Sequence, residues 1–288
     1  MTDRTRVTRR EALSTMTMGA AAAALGLPAL AACAKPSETG GTLARPGLQL
    51  YTMRADMERN VEETLARVAQ IGYKEVEFAG YFGRTPAQVA ANLQLNGLVA
   101  PSAHVGLDSI GEGWDKKLDE AAAVGHQWLI VAYLTEAQRG GADVYKRLAA
   151  DFNKAAAASR ARGISFGYHN HDFEFLPVEG GTDGQTILLS ECDPTLVDFE
   201  LDLYWITKAG KDAAEYMTRY PGRFPLVHVK DLAADGQMTE VGAGSIDFQK
   251  IIDAGKGTIE HFYVEQDNAK VPFESITTSL EAVKRLRA

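Results

Sequence analysis

Glu77, His104, His169 and His171, Asp202, His228 and Lys230, and Glu265 each stand at or just past the end of a short run rich in β-branched and aromatic residues. Residues two apart on an extended strand share a face. In Tyr168-His169-Asn170-His171 the two imidazoles therefore point alike, and in Val227-His228-Val229-Lys230 the polar pair points one way and the valines the other. Glu200 and Asp202 share a face with Asp202 farther along the strand, and Tyr263 and Glu265 repeat the pattern. A buried polar group without a partner costs about 1–3 kcal/mol, so a fold that gathers so many in one place has a use for them. Carboxylates and imidazoles in a converging ring suit a divalent cation such as Mn²⁺, Zn²⁺, Co²⁺ or Mg²⁺. Lys230, on the face of His228, would stabilise an enediolate oxygen or lower a neighbouring pKa, or else simply pair with Asp231 or Asp202.

Other residues carry weaker signals. Glu77 and His104 read either as substrate contacts or as satisfied structural groups. Trp205 and Trp114 offer flat surfaces for the apolar side of a sugar, or for packing at a rim. Gly242-Ala243-Gly244 resembles a phosphate-cradling loop, but a lone GxG is more often a turn, here into a helix capped by Asp247. Cys192 reads as a small hydrophobe.

The elements that must position these residues alternate regularly. Strands are expected at Leu48–Tyr51, Glu75–Phe78, Val99–His104, Trp128–Val131, Ile164–Tyr168, Val197–Leu201, Leu226–Val229 and His261–Val264. Helical stretches fall at about Val61–Ile71, Pro86–Asn96, Lys116–Ala123, Asp143–Arg162, Gly184–Glu191, Asp212–Arg219, Asp247–Ala254 and Phe273–Leu286. Pro86 at a first helical position and Gly72, Gly97 and Gly163 past C-termini are end signals. Eight βα units predict an α/β fold, a single-domain (β/α)₈ TIM barrel over 47–288, with chemistry at the C-terminal ends of the strands. The Gly-rich dinucleotide fingerprint after the first strand is missing.

Composition narrows the partners. The 288 residues are 45% hydrophobic, enough for one buried core, and the net charge of −8 argues against nucleic acid. Cys33 and Cys192 are the only cysteines, which rules out a disulfide scaffold. Residues 1–33 have the three parts of an export signal: Arg4, Arg6, Arg9 and Arg10, then an Ala/Met/Gly stretch, then small residues before Cys33. Thr8-Arg9-Arg10-Glu11-Ala12-Leu13 resembles a twin-arginine signal and Leu30-Ala31-Ala32-Cys33 a lipobox. A periplasmic protein or membrane-anchored lipoprotein, held only through a lipid on Cys33, is the expectation. Residues 34–46, rich in Pro, Gly and polar side chains, read as a flexible linker.

From Gly47 to about Leu286 the chain resembles the xylose-isomerase-like barrel family of sugar phosphate isomerases/epimerases, which also includes tagatose epimerases, inosose dehydratase and endonuclease IV. The resemblance rests on LQLYT (48–52), IGYKEVEF (71–78), APSAHV (100–105), GYHNHDFEF (167–175), FELDLYW (199–205), LVHVKD (226–231), VGAGSIDF (241–248) and FYVEQD (262–267). It implies a metal held at the ends of strands five to eight, typically by Glu, Asp, His and Glu. Asp202, His228 and Glu265 carry over directly, and the first position falls on His169, with His171 as the alternative. An imidazole there departs from the facing glutamate pair of the family's epimerases.

The resemblance thus implies a metal-dependent sugar isomerase/epimerase acting through an enediolate on a small, unphosphorylated or keto carbohydrate. Glu265 would act as base and Lys230 or a histidine such as His104 would return the proton, with substrate contacts at Glu77, His171 and Trp205. Alternatives are a lyase or dehydratase of the inosose-dehydratase type, and a non-catalytic carbohydrate-binding lipoprotein. Endonuclease activity is disfavoured by the acidic charge and by too few histidines for a three-metal cluster.

Overall fold

The computed structural model describes residues 45–287. The leader, Cys33 and all of the linker before Arg45 lie outside the described residues. In chain order come β1 (Gly47–Gln49), α1 (Arg54–Arg59), α2 (Val61–Ile71), β2 (Glu75–Phe78), α3 (Pro86–Asn96), β3 (Val99–Val105), α4 (Trp114–Val124), β4 (Trp128–Val131) and α5 (Ala142–Arg160). There follow β5 (Ser165–His169), α6 (Gly184–Glu191), β6 (Val197–Asp202), α7 (Leu203–Lys208), α8 (Ala213–Arg219), β7 (Leu226–Val229), β8 (Asp231–Leu232), β9 (Met238–Thr239), α9 (Phe248–Ala254), β10 (His261–Val264) and α10 (Pro272–Val283). The eight long strands are parallel and close in the order β1-β10-β7-β6-β5-β4-β3-β2, with Gly47 opposite Tyr263 at the seam. This is the single-domain (β/α)₈ barrel that the alternation predicts.

Local chemistry fixes the helix ends. Asn60 accepts the Glu63 N–H at the start of α2, Thr85 and Gln88 form a reciprocal capping box ahead of Pro86, and Gly97 ends α3 in the left-handed region. Asp247 caps α9 through the Lys250 N–H at 3.0 Å. The strands are apolar on the helix-facing side, where the main core lies. Inside the barrel a separate apolar cluster of Trp128, Ile130, Leu226 and Tyr263 fills the N-terminal half. Two strand glycines make room for it: a Cβ on Gly47 would stand 2.5 Å from the Tyr263 ring, and one on Gly167 2.5 Å from Ile130 Cδ1.

Two features depart from the sequence reading, and a third decides between its alternatives. Trp114 is not at the mouth: it starts α4, is buried, and its indole N–H donates to Ala155 O at 3.1 Å, so it bolts α4 to α5 and cannot stack on a substrate. The Gly242-Ala243-Gly244 loop is not an anion cradle, because the amides of Gly242 and Gly244 already donate to Asp231 Oδ2 at 2.9 and 3.0 Å and that of Ile246 to Oδ1 at 3.2 Å. A phosphate there would meet a carboxylate. The short α7 was not expected either; Asp202 ends β6 and at once caps this helix, its Oδ1 accepting the Trp205 N–H at 2.8 Å.

Candidate metal centre and active site

Above the apolar plug the barrel interior turns polar in two tiers. The lower tier centres on Glu200 Oε2, which has His104 Nε2 at 2.7 Å, His169 Nδ1 at 3.0 Å and His228 Nε2 at 3.0 Å. Glu77 Oε2 accepts from Gln49 Nε2 at 2.6 Å and lies 2.7 Å from His228 Nε2, while its Oε1 accepts from Ser102 at 2.6 Å. The upper tier holds Asp202, Glu265 and Lys230. Lys230 Nζ lies 2.8 Å from Glu265 Oε2, 3.0 Å from Asp202 Oδ2 and 3.1 Å from Asp267 Oδ1. His228 joins the tiers, since its Nδ1 lies 2.6 Å from Glu265 Oε2 and 4.0 Å from Asp202 Oδ2.

Backbone register explains the convergence. His169 is opposite Glu200 across β5 and β6, and Asp202 is opposite His228 across β6 and β7, so adjacent strands deliver their inward residues in steps. Lys230, expected to pair with Asp231 or Asp202, takes Asp202; Asp231 faces outward to the 242–246 loop.

Each charge state has an identifiable cause. Burial opposes charging His228, but the carboxylates of Glu200, Glu265 and Glu77 outweigh it and hold its pKa well above the ordinary range. Burial likewise opposes charging Lys230, yet Asp202, Glu265 and Asp267 keep it an ammonium. Glu265 is buried too, but Lys230 and His228 hold its carboxyl well below the usual range. His169 behaves oppositely: burial and the nearby His228 push it down to about 3, so it is neutral. Burial drives Asp202 up, against the pull of Lys230. Asp267, only 19% exposed, is pushed up to about 6, again chiefly by burial.

The donor set fits a divalent cation. Oxygen or nitrogen atoms of Asp202, His228 and Glu265 lie within 4.8 Å of one another and all three residues are buried. Among the described residues Asp202 Oδ2 accepts no hydrogen bond, Lys230 being near it without the alignment of one, and His169 Nε2 lies 3.6 Å from it. Acid also exceeds base, with Glu77, Glu200, Asp202, Glu265 and Asp267 around one ammonium and three imidazoles, a surplus that a dication would neutralise. His104, His169, Glu200 and His228 form a second group by the same distance measure.

The structure brings together His169, Asp202, His228, Glu265, Lys230, His104 and Glu77. It leaves His171 outside both groups, at the mouth, its ring 4.9 Å from Tyr133, 5.8 Å from Phe173 and 5.2 Å from Trp205. His171 Nδ1 and Trp205 Nε1 are both buried without partners. Two residues of the cluster were given no role in the sequence reading. Glu200 was seen to share the face of Asp202, and Asp267 follows Glu265 at the same period of two that singled out His171 and Lys230.

The family model for the xylose isomerase-like TIM barrel matches residues 21–258. A sugar phosphate isomerase/epimerase from Parabacteroides distasonis superposes with a TM-score of 0.74 at 27% identity, covering 87% of this chain and 96% of that one. The IolI protein, solved with a bound zinc atom, shares the fold at 12% identity and a TM-score of 0.66, covering 83% of this chain and 96% of its own. An inosose dehydratase from Clostridium perfringens is 28% identical over 125 residues, which is 37% of this chain and 41% of the relative, so the chain matches about two-fifths of that protein's length. The closed barrel, its polar mouth and a family match over most of its length place this chain in the xylose isomerase-like TIM barrel family.

Proposed function

We propose that this protein is a metal-dependent enzyme that isomerises or epimerises a small carbohydrate by moving a proton next to its carbonyl group. The observation that carries the reading is the buried convergence of Asp202, His228 and Glu265, with an oxygen of Asp202 left without a hydrogen bond. These three and His169 would hold a divalent cation, which when bound polarises a substrate carbonyl and acidifies the adjacent C–H. Glu265, ionised throughout the neutral range, accepts that proton. The ammonium of Lys230, 2.8 Å from Glu265, stabilises negative charge on the enediolate oxygen. His104 is held protonated by Glu77 and Glu200 despite its burial and keeps a partly exposed edge, so it returns a proton. His171 and Trp205, with ring nitrogens that lack partners among the described residues, orient the substrate around this centre, whereas Glu77 is buried with both oxygens occupied and takes the structural role that was its alternative.

A second reading is a lyase, in which the same enediolate expels a group β to the carbonyl. The similarity to inosose dehydratase favours it, as does His169 in place of a second glutamate base. Deuterium wash-in from D₂O across free sugars and keto-sugars, with product analysis, separates the two. Exchange with return of an isomer supports the first reading, and exchange with loss of water or another leaving group supports the second. Exchange at the wild-type rate in Glu265→Gln would show that Glu265 is not the base.

A further inference from the structure

We infer that Glu200 is a positioning residue that fixes the proton of His169 on Nδ1 and so presents its Nε2 to the cation. The inference rests on the metal reading above and goes beyond it, because Glu200 lies below the metal-facing atoms.

An imidazole nitrogen about 3 Å from a carboxylate oxygen must carry a proton, since two lone pairs would otherwise face each other. His169 Nδ1 lies 3.0 Å from Glu200 Oε2, so the proton of this neutral ring sits on Nδ1 and the lone pair on Nε2, the nitrogen that faces Asp202. His228 is held differently: its Nε2 lies 3.0 Å from the same oxygen and 2.7 Å from Glu77 Oε2, and its Nδ1 lies 2.6 Å from Glu265 Oε2, so both of its nitrogens carry protons in the metal-free site and Glu200 shares this ring with Glu77. A carboxylate on β6 thus aims the ring on the neighbouring β5 at Asp202. Glu77 cannot take this task over, because its oxygens are held by Gln49, Ser102 and His228 and neither is paired with His169. Carboxylates that orient metal-bound imidazoles typically contribute 10–100-fold to affinity.

Glu200→Gln removes the charge while keeping the shape. Zn²⁺ affinity, read by competition with a chromophoric chelator, is expected to fall about 10–100-fold. In ¹⁵N-histidine NMR of chelated protein, His169 is expected to be Nδ1-protonated in the wild type and to shift toward the Nε2-protonated tautomer in the variant. Glu200→Asp, which keeps the charge but withdraws the oxygen, should weaken zinc binding similarly and serves if Glu200→Gln does not fold. Asp202→Asn tests the underlying reading. If Asp202→Asn loses zinc and Glu200→Gln keeps both wild-type affinity and tautomer, the inference on Glu200 is wrong although the metal centre stands. If Asp202→Asn retains zinc, the metal centre itself is misplaced. A lowered melting temperature in Glu200→Gln with unchanged affinity and tautomer would mark a merely structural role and overturn the inference.

Discussion

Lys230→Met places an apolar chain of similar length in a shell of carboxylates. In the wild type the buried ammonium lies 2.8–3.1 Å from Glu265, Asp202 and Asp267. At an effective dielectric near 20, each contact is worth roughly 5 kcal/mol before desolvation is subtracted. Most of that is cancelled by the cost of burying the charges, but removing one partner of a buried pair strands the others, at about 3–5 kcal/mol. For a barrel of this size that corresponds to a melting temperature lower by roughly 10 °C. The deficit should be greatest near pH 8 and shrink toward pH 5, because the stranded carboxylates relieve their repulsion by taking up protons. Added divalent cation should narrow the gap by about 1.4 kcal/mol for each tenfold by which the variant, freed of the competing ammonium, binds it more tightly than the wild type. Urea unfolding and calorimetry, each with chelator and then with Zn²⁺, measure all three effects. A chelated variant within about 1 kcal/mol of the wild type at pH 8 would refute the idea that Lys230 is the counter-charge of this cluster.

His126 donates from Nδ1 to Ala100 O at 2.6 Å and is depressed by burial to about 4, so its stabilising neutral form is fully present above pH 6.5 and lost as pH falls toward 4. His126→Gln should remove about 3 kcal/mol of that acid sensitivity, read from urea unfolding at several pH values; an unchanged profile would exonerate His126. Cation binding must displace the proton between His228 Nδ1 and Glu265, so calorimetry in buffers of different ionisation enthalpy should show about one proton released per Zn²⁺ at pH 7, with affinity falling as pH drops. Arg9→Lys with Arg10→Lys should leave precursor in the cytoplasm, and Cys33→Ala should free the protein from membranes; normal export of the double variant would dismiss the twin-arginine reading.

Much of the barrel was legible because its signals are local. The strands Glu75–Phe78, Trp128–Val131, Leu226–Val229 and His261–Val264 and the helices Val61–Ile71, Pro86–Asn96 and Gly184–Glu191 fall where period, caps and breakers place them. Period two also showed which polar residues face inward. What one strand's sequence could not show is the stagger between strands, which puts His169 beside Glu200 and Asp202 beside His228, and makes Glu200 the hub of three imidazoles. Trp114 was misjudged for the same reason, since its partner Ala155 lies 41 residues away on another helix. The Gly242–Gly244 loop is the turn that a lone GxG more often marks, and its amides go to a carboxylate remote in sequence, Asp231.

The central claim is that one divalent cation sits among His169, Asp202, His228 and Glu265. Anomalous diffraction from crystals grown with Zn²⁺, recorded on both sides of the zinc absorption edge, tests it directly. One strong peak is expected about 2.0–2.2 Å from His169 Nε2, His228 Nδ1 and an oxygen each of Asp202 and Glu265, with Lys230 Nζ displaced from at least one of those carboxylates. A peak centred instead among His104, His169, Glu200 and His228, or no peak inside the barrel, would contradict it.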